Sequence, residues 1–237
     1  MAAQSKRYKN ALNQIDKDKS YEVSEAIDLL KNASATKFDE TVEIHIRTSA
    51  DPRHADQQLR GVATLPHGLG KTVRVAVFVT GEAARAATEA GAEIVGADDL
   101  IEKIDGGFLD FDVAIATPDM MGKIGKLGRV LGRKGLMPNP RTNTVVQPQD
   151  IPNAVEEAKK GRVELRMDRT AIIHSPVGKA SFDNEKLMEN VASVVDTINQ
   201  LKPSAVKGQF VKTVFLTTTM GPSVQLELGS TMAMKVE

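Results

Sequence analysis

The sequence predicts two domains of different class: an α+β domain with an antiparallel sheet, formed by both termini, and an α/β domain inserted into its middle. Three observations predict it. "TVEIHIRT" alternates strictly between polar and apolar residues, and "RVELRMDRTAIIHSPVG", far downstream, repeats the pattern; half-buried strands of this kind suit an antiparallel sheet with one open face. Between them, "TVRVAVFV" and "FDVAIAT" are near-continuous apolar runs followed by helical patterns, as in a parallel sheet covered on its faces. Glycine and proline punctuate the two crossings, with Pro66, Gly68 and Gly70 outbound and Gly161 on the return. The expected domains are 1–66 plus 160–237 and 67–159, and two crossings between the same domains form a natural hinge.

Taken in order, "SKRYKNALNQI" and "VSEAIDLLKNA" carry apolar residues at helical spacing and predict helices near 5–15 and 23–33. In "TVEIHIRT", Val42, Ile44 and Ile46 face one way, and Thr41, Glu43, His45 and Arg47 the other. The inserted part reads strand "TVRVAVFV", helix "GEAARAATEAGA", short strand "EIVG", helix "DDLIEKI", strand "FDVAIAT" and helix "PDMMGKIGKLGRVLG", opened by Pro118. After the loop "RKGLMPNPRTNT" come "VVQ" and a helix in "IPNAVEEAKKG". The first style then returns: "RVELRMDRTAIIHSPVG" reads as two strands around a tight turn, and "NEKLMENVASVVDTINQL" is the longest amphipathic helix. "FVKTVFLTTTM" and "SVQLEL" are further strands, and the tail "GSTMAMKVE" receives no assignment.

The 237 residues suffice for a proper core in each domain, with 41% hydrophobic and 26% charged residues as in a soluble globular protein. Cysteine is absent, which excludes disulfides, thiolate metal sites and cysteine catalysis. No apolar run approaches the roughly 20 residues of a membrane helix. The opening "MAAQSKRYKNALNQIDKDK" lacks a signal-peptide core and reads as a cytosolic beginning. With 31 basic and 31 acidic residues the formal net charge is zero. A nucleic-acid partner must therefore be recognised by local patches and shape rather than bulk attraction.

The triplet Gly70-Lys71-Thr72 suggests a phosphate-binding loop, which needs GxxxxGK[ST] between a strand and a helix. Here the first glycine position is Leu65, and a strand follows where a helix is required. The motif fails twice. A Gly-rich segment, "GKIGKLGRVLGRKGLMPNPR", has no GxGxxG. It carries Lys123, Lys126, Arg129, Arg133, Lys134 and Arg141 without one acidic residue, after an acid-rich stretch over 82–112. It reads either as a solvated basic face with glycines for close packing or as a phosphate-facing surface. His45, His54, His67 and His174 show no metal-ligand spacing, so no metal or other cofactor is expected. Carboxylate pairs such as Asp98-Asp99 suit helix starts, and no nucleophile elbow exists.

What remains is a polar cluster in the α+β domain. "TKFDETVE" sets Lys37, Phe38, Thr41 and Glu43 at the entry and outer face of a strand. "HSPVGKASF" adds His174, Gly178, Lys179 and Ser181, and "TTTMGP" places Thr217, Thr219, Met220 and Gly221 at the end of another strand. Hydroxyls can bond phosphates and the ribose 2′-OH, glycine permits close backbone approach, and Phe and Met pack on sugars or bases. Ordinary strand ends and turns would read the same on composition alone.

In chain order, "KFDETVEIHI", "DPRHADQQLRG", "FDVAIATPDMMGKIGKLGRVLG", "GLMPNP", "KPSAVKGQF" and "TTTMGP" resemble the bacterial form of the ribosomal protein L-one family, the protein of the mobile side stalk of the large ribosomal subunit. The resemblance covers about residues 5–228. It implies a Rossmann-like inserted domain and binding of large-subunit rRNA by a monomer within the cytoplasmic ribosome, mainly through the first domain. Lys37, Phe38, Thr41 and Glu43 then form one part of the contact surface, with His174, Gly178, Lys179 and Ser181 a second part. Thr217, Thr219, Met220 and Gly221 match the central RNA-recognition motif. The resemblance further implies help in moving and releasing deacylated exit-site tRNA, and repression of the protein's own operon mRNA. It departs from the family at Arg133, where Pro is common, and at Asn143, where Gly is common. The rival reading, a Rossmann-like nucleotide-binding enzyme, rests only on the inserted α/β unit, and fold alone does not imply activity.

Overall fold

The computed structural model describes residues 5–17 and 19–234. The expected start of the first domain at residue 1, its end at 237 and the last three residues of the tail lie outside them. The chain forms two compact units: one runs to Gly70 and resumes at Val163, and the other is Lys71–Arg162. The first carries an antiparallel sheet and the second a parallel one, giving the mixed α+β and α/β class.

In the first unit, α1 (Lys6–Leu12) begins at Ser5, whose hydroxyl accepts from the Tyr8 amide at 3.3 Å. Helix α2 (Val23–Ala33) buries Val23, Ala26, Ile27, Leu30 and Ala33, a stripe at helical spacing that packs on the sheet core. Strand β1 (Thr41–Thr48) turns Val42, Ile44 and Ile46 inward and leaves Thr41, Glu43, His45 and Arg47 on the open face. Ile44 has no exposed surface, so Ile44→Ala would cost roughly 2–5 kcal/mol in lost burial and cavity. Strand β2 (Arg60–Thr64) has the same alternation over a shorter run and escaped the sequence reading.

The second unit opens with β3 (Val75–Phe78), buried at every position. Then follow α3 (Glu82–Glu89), β4 (Ile94–Gly96), α4 (Asp98–Asp105), β5 (Val113–Ala116), α5 (Pro118–Ile124), α6 (Gly128–Lys134) and α7 (Ile151–Lys159). The parallel sheet runs β4-β3-β5, and Val145 adds an isolated bridge to Ala116 where "VVQ" suggested a strand. Each sheet face has its own core: Phe78, Leu100 and Ile124 on one side, Val77, Ile115 and Val155 on the other. That is why the strands read as continuous apolar runs. The single helix expected over "PDMMGKIGKLGRVLG" is instead α5 and α6 separated by a 3-10 turn at Gly125–Leu127. Glycine costs about 0.5–1 kcal/mol against alanine in a helix, and Gly122, Gly125 and Gly128 together leave too little to sustain one continuous helix.

At the return to the first unit, β6 (Arg162–Arg166) pairs with β2 in a separate two-stranded sheet. The two strands expected around a tight turn are β6 and β7 (Ile172–Lys179); the Met167–Ile173 bridge joins the segment after β6 to β7, while β6 itself ladders with β2. The turn holds Ala171 at φ 63°, with Asp168 accepting from the Thr170 and Ile172 amides, each at 2.8 Å. Helix α8 (Asn184–Gln200) lays Leu187, Val191, Val194, Val195 and Ile198 on the core. Strands β8 (Val211–Thr218) and β9 (Val224–Gln225) complete a four-stranded sheet in the order β7-β1-β8-β9. Tyr21 bonds to this edge, its amide to Gln225 O at 2.9 Å and its carbonyl to the Glu227 amide at 2.8 Å, so the N-terminal segment closes on the C-terminal strand. The unassigned tail contains α9 (Leu228–Ala233), which contacts α8 and β8. Among the described residues no helix is long and apolar enough to cross a membrane.

Candidate nucleic-acid interface

Antiparallel register sets the site. Pairing of Thr41 with Lys179, Val42 with Thr218, and Glu43 with Thr217 brings the start of β1, the end of β7 and the end of β8 to one edge of the sheet. The Thr41 amide donates to Thr219 Oγ1 and the Thr219 amide to Thr41 O, both at 3.0 Å. Lys179 Nζ reaches Thr41 Oγ1 at 2.9 Å. Ser181 is fixed by Asp39, whose carboxylate accepts from its amide at 3.1 Å and its hydroxyl at 2.7 Å. Above this polar floor Phe38 is 54% exposed and Met220 50%. Large apolar side chains left in water at a polar rim mark a place for a partner.

Beneath Met220 lies Glu40, 1% exposed. Its Oε2 accepts from the Met220 amide at 3.1 Å, and its Oε1 from Ser34 Oγ at 3.1 Å. Burial pushes the Glu40 carboxyl up, but Thr218, Thr36, the Met220 amide and Ser34 together hold it below the ordinary range. The Thr218 hydroxyl is itself buried and outside regular hydrogen-bond geometry among the described residues, so Ser34 and Met220 define the anchor. Gly221 turns tightly here: its amide donates to Thr218 O at 3.1 Å, and a Cβ on it would run into Thr218 Oγ1.

Not every expected residue joins this rim. Gly178 is buried, and a Cβ there would meet Leu187 Cδ2 at 2.8 Å and the Phe182 ring at 3.1 Å. Its bareness serves packing beneath the rim. His174 stands on the open face of β7 opposite His45, their Nδ1 atoms 2.7 Å apart. At ~3.4 Å rise per residue that pair lies about 14 Å along β1 from Thr41. Burial, then His174, lower the His45 pKa, while Glu43 opposes them.

In the second unit Lys126, Arg129, Arg133 and Lys134 are exposed and form no ion pair among the described residues, whereas Lys123 is held by Asp98 at 2.8 Å. Arg141 is exposed, with its backbone amide bonded to Asn139 Oδ1 at 2.8 Å. The glycines of this segment have no packing role: a Cβ at Gly122, Gly125, Gly128 or Gly132 would find nothing within 4 Å. Asn143 sits at φ 46°, a left-handed position that glycine or asparagine fills most readily.

The Gly70-Lys71-Thr72 triplet follows a buried Leu65 and leads into β3, with Lys71 Nζ on Asp112 at 2.6 Å. It cradles no helix N-terminus. Asn190 of α8, fully buried, accepts from the His67 amide at 3.1 Å and donates to Gly68 O at 3.1 Å and Val177 O at 2.7 Å. Gly68, Gly70 and Gly161 all have positive φ, but Gly68, beside Pro66, is tied into the first unit.

The family model for the ribosomal protein L1p/L10e family matches residues 29–222. A protein of Dehalococcoides mccartyi, "Large ribosomal subunit protein uL1", is 57% identical over 234 residues, covering 99% of both chains. A protein of the same name from Thermosipho africanus is 57% identical over 228 residues, 96% of this chain and 97% of its own. The chain belongs to this family. It is a ribosomal protein, a structural constituent of the cytoplasmic ribosome and not an enzyme, which removes the nucleotide-binding alternative.

Sequence reasoning missed Glu40, Asp39 and Asn190, which hold the site without facing outward. Strand parity carried the signal for Glu40, because it continues the inward set Val42, Ile44 and Ile46. Nothing local in the sequence marked Asp39, whose partner Ser181 lies 142 residues on, or Asn190, which reaches back 123 residues to the His67 amide.

Proposed function

We propose that the rim of the first unit binds large-subunit rRNA at the mobile side stalk. The observation that supports this most is the exposure of Phe38 and Met220 over a fixed floor of Thr41, Lys179, Ser181 and Thr219. Hydroxyls and one lysine suit phosphate and 2′-OH groups, and the two apolar side chains suit sugars or bases. His174 and Glu43 extend the surface along the open sheet face, and Gly178 acts from below. The absence of cysteine permits a clean test: a cleaving probe tethered through Ser223→Cys, at the rim end, should cut the bound rRNA fragment. The same probe at His54→Cys, beyond the far end of β1, should not. Equal cutting from both positions contradicts the assignment.

The second unit adds a basic face through Lys126, Arg129, Arg133 and Lys134, with Lys123 and Arg141 at its margins. Open glycines between these cations allow a phosphate backbone to come close to the main chain. The resemblance to the L-one family supports two finer roles: movement and release of deacylated exit-site tRNA, and repression of the operon mRNA through an rRNA-like element. The two crossings between the domains, which the sequence places at 66–67 and 159–160 and which fall between the compact units at 70–71 and 162–163, form the proposed hinge. A cell-free translation assay of the operon mRNA checks repression: added protein should lower synthesis from the native leader and not from one with the element deleted.

A further inference from the structure

We infer that Glu40 is a positioning residue for RNA recognition: its buried carboxylate fixes the Thr219–Met220 peptide, and so aims an unbonded carbonyl and the Met220 side chain at the RNA. This rests on reading the rim as an RNA-contact surface. An inward strand position ordinarily holds an aliphatic residue, as at Val42, Ile44 and Ile46. A carboxylate there is costly unless its oxygens are bonded. Both are, one by the Met220 amide at the turn and one by Ser34 at the end of α2. The Glu40 carbonyl also accepts from the Ala180 amide at 2.8 Å. One residue thus ties together the three segments that build the rim.

The neighbouring amides have other partners, Thr219 on Thr41 O and Gly221 on Thr218 O. The Met220 amide donates to Glu40 Oε2. An ionised carboxylate only accepts, so it cannot exchange roles as a hydroxyl or amide could. It therefore holds the N–H inward. No peptide here is cis, and in a trans peptide the carbonyl points opposite to the N–H. Thr219 O is consequently directed away from the carboxylate, and no described group donates to it. An outward acceptor suits a hydroxyl donor such as the ribose 2′-OH.

The test uses the full chain, hydrogen exchange at the Met220 amide and filter binding to an rRNA stalk fragment, with thermal unfolding as the folding control. Glu40→Leu should speed exchange at Met220 and lower affinity on the order of tenfold, and Glu40→Gln, which retains an acceptor oxygen, should recover much of both. If Glu40→Leu does not fold, Ser34→Ala and Glu40→Gln carry the test, and affinity should track the exchange rate across them. Unchanged affinity despite faster exchange, or lost affinity with unchanged exchange, overturns the role of Glu40. If Met220→Ala and Thr219→Ala leave affinity intact as well, the rim reading itself has failed.

Discussion

Thr41 and Thr219 hold each other reciprocally: the Thr41 amide donates to the Thr219 hydroxyl, and the Thr219 amide to the Thr41 carbonyl, both at 3.0 Å. The last ladder pair of the sheet edge is thus extended by a side chain, and the turn that follows inherits the rigidity of β1. Thr219→Ala removes one of these bonds and should cost about 1 kcal/mol of stability, read by denaturant unfolding. It and Met220→Ala should each weaken rRNA-fragment binding by about 1–3 kcal/mol. Parent-like binding by both would refute the site.

Asn190 has a different task, bonding three backbone groups inside the first unit. Asn190→Leu keeps the volume but abandons the His67 amide and the carbonyls of Gly68 and Val177. Buried backbone groups without partners cost about 1–3 kcal/mol each, so unfolding should shift by at least 2 kcal/mol, roughly. Hydrogen exchange should locate the loosening at residues 66–70. A variant as stable as the parent would show that water satisfies these groups.

Acid should weaken the fold in two separate windows. The His45 pKa lies below its ordinary 6.5 because burial and His174 disfavour the imidazolium. The unfolded chain then binds more protons than the native one just below pH 6.5, so stability rises with pH there. It is complete above the ordinary value and lost as pH falls through the native one. Glu40 behaves likewise below its ordinary 4.5, its folded value being depressed. His45→Gln should flatten the upper window and leave the lower one. Unfolding free energies measured across both ranges decide it, and an unchanged upper slope would assign that window elsewhere.

The glycines at 125 and 128 are helical, with φ −52° and −55°, and open space surrounds both. Alanine at either should stabilise by ~0.4–1 kcal/mol through the unfolded state. Reduced RNA affinity in these more stable variants would identify this basic face as a contact surface. Destabilisation would mean that the segment needs glycine for its own fold.

The elements were legible wherever local pattern decides structure. "TVEIHIRT" reads directly as β1, and the apolar runs as the buried strands β3 and β5. What local pattern cannot show is partnership. β6 and β7 flank one turn, as the pattern shows, yet the ladder partner of β6 is β2, a strand whose own signal is short. The glycine-rich helix broke because several small penalties accumulate, each too weak to announce a boundary by itself. At the site, outward residues such as Met220 were visible through family resemblance, whereas the carboxylate beneath it emerges only when β1 and the 218–221 turn are brought together.

Equilibrium binding of the full chain to a large-subunit rRNA stalk fragment, titrated with salt, tests the central claim most directly. Charge is near balance, with 31 basic and 31 acidic residues, so recognition through shape and hydrogen bonds predicts tight binding and a shallow salt slope. Phe38→Ala combined with Met220→Ala should abolish most of that affinity while the melting curve stays close to the parent's. A steep slope, as for roughly 6–10 phosphate contacts, or undiminished binding by the double variant, would contradict the account.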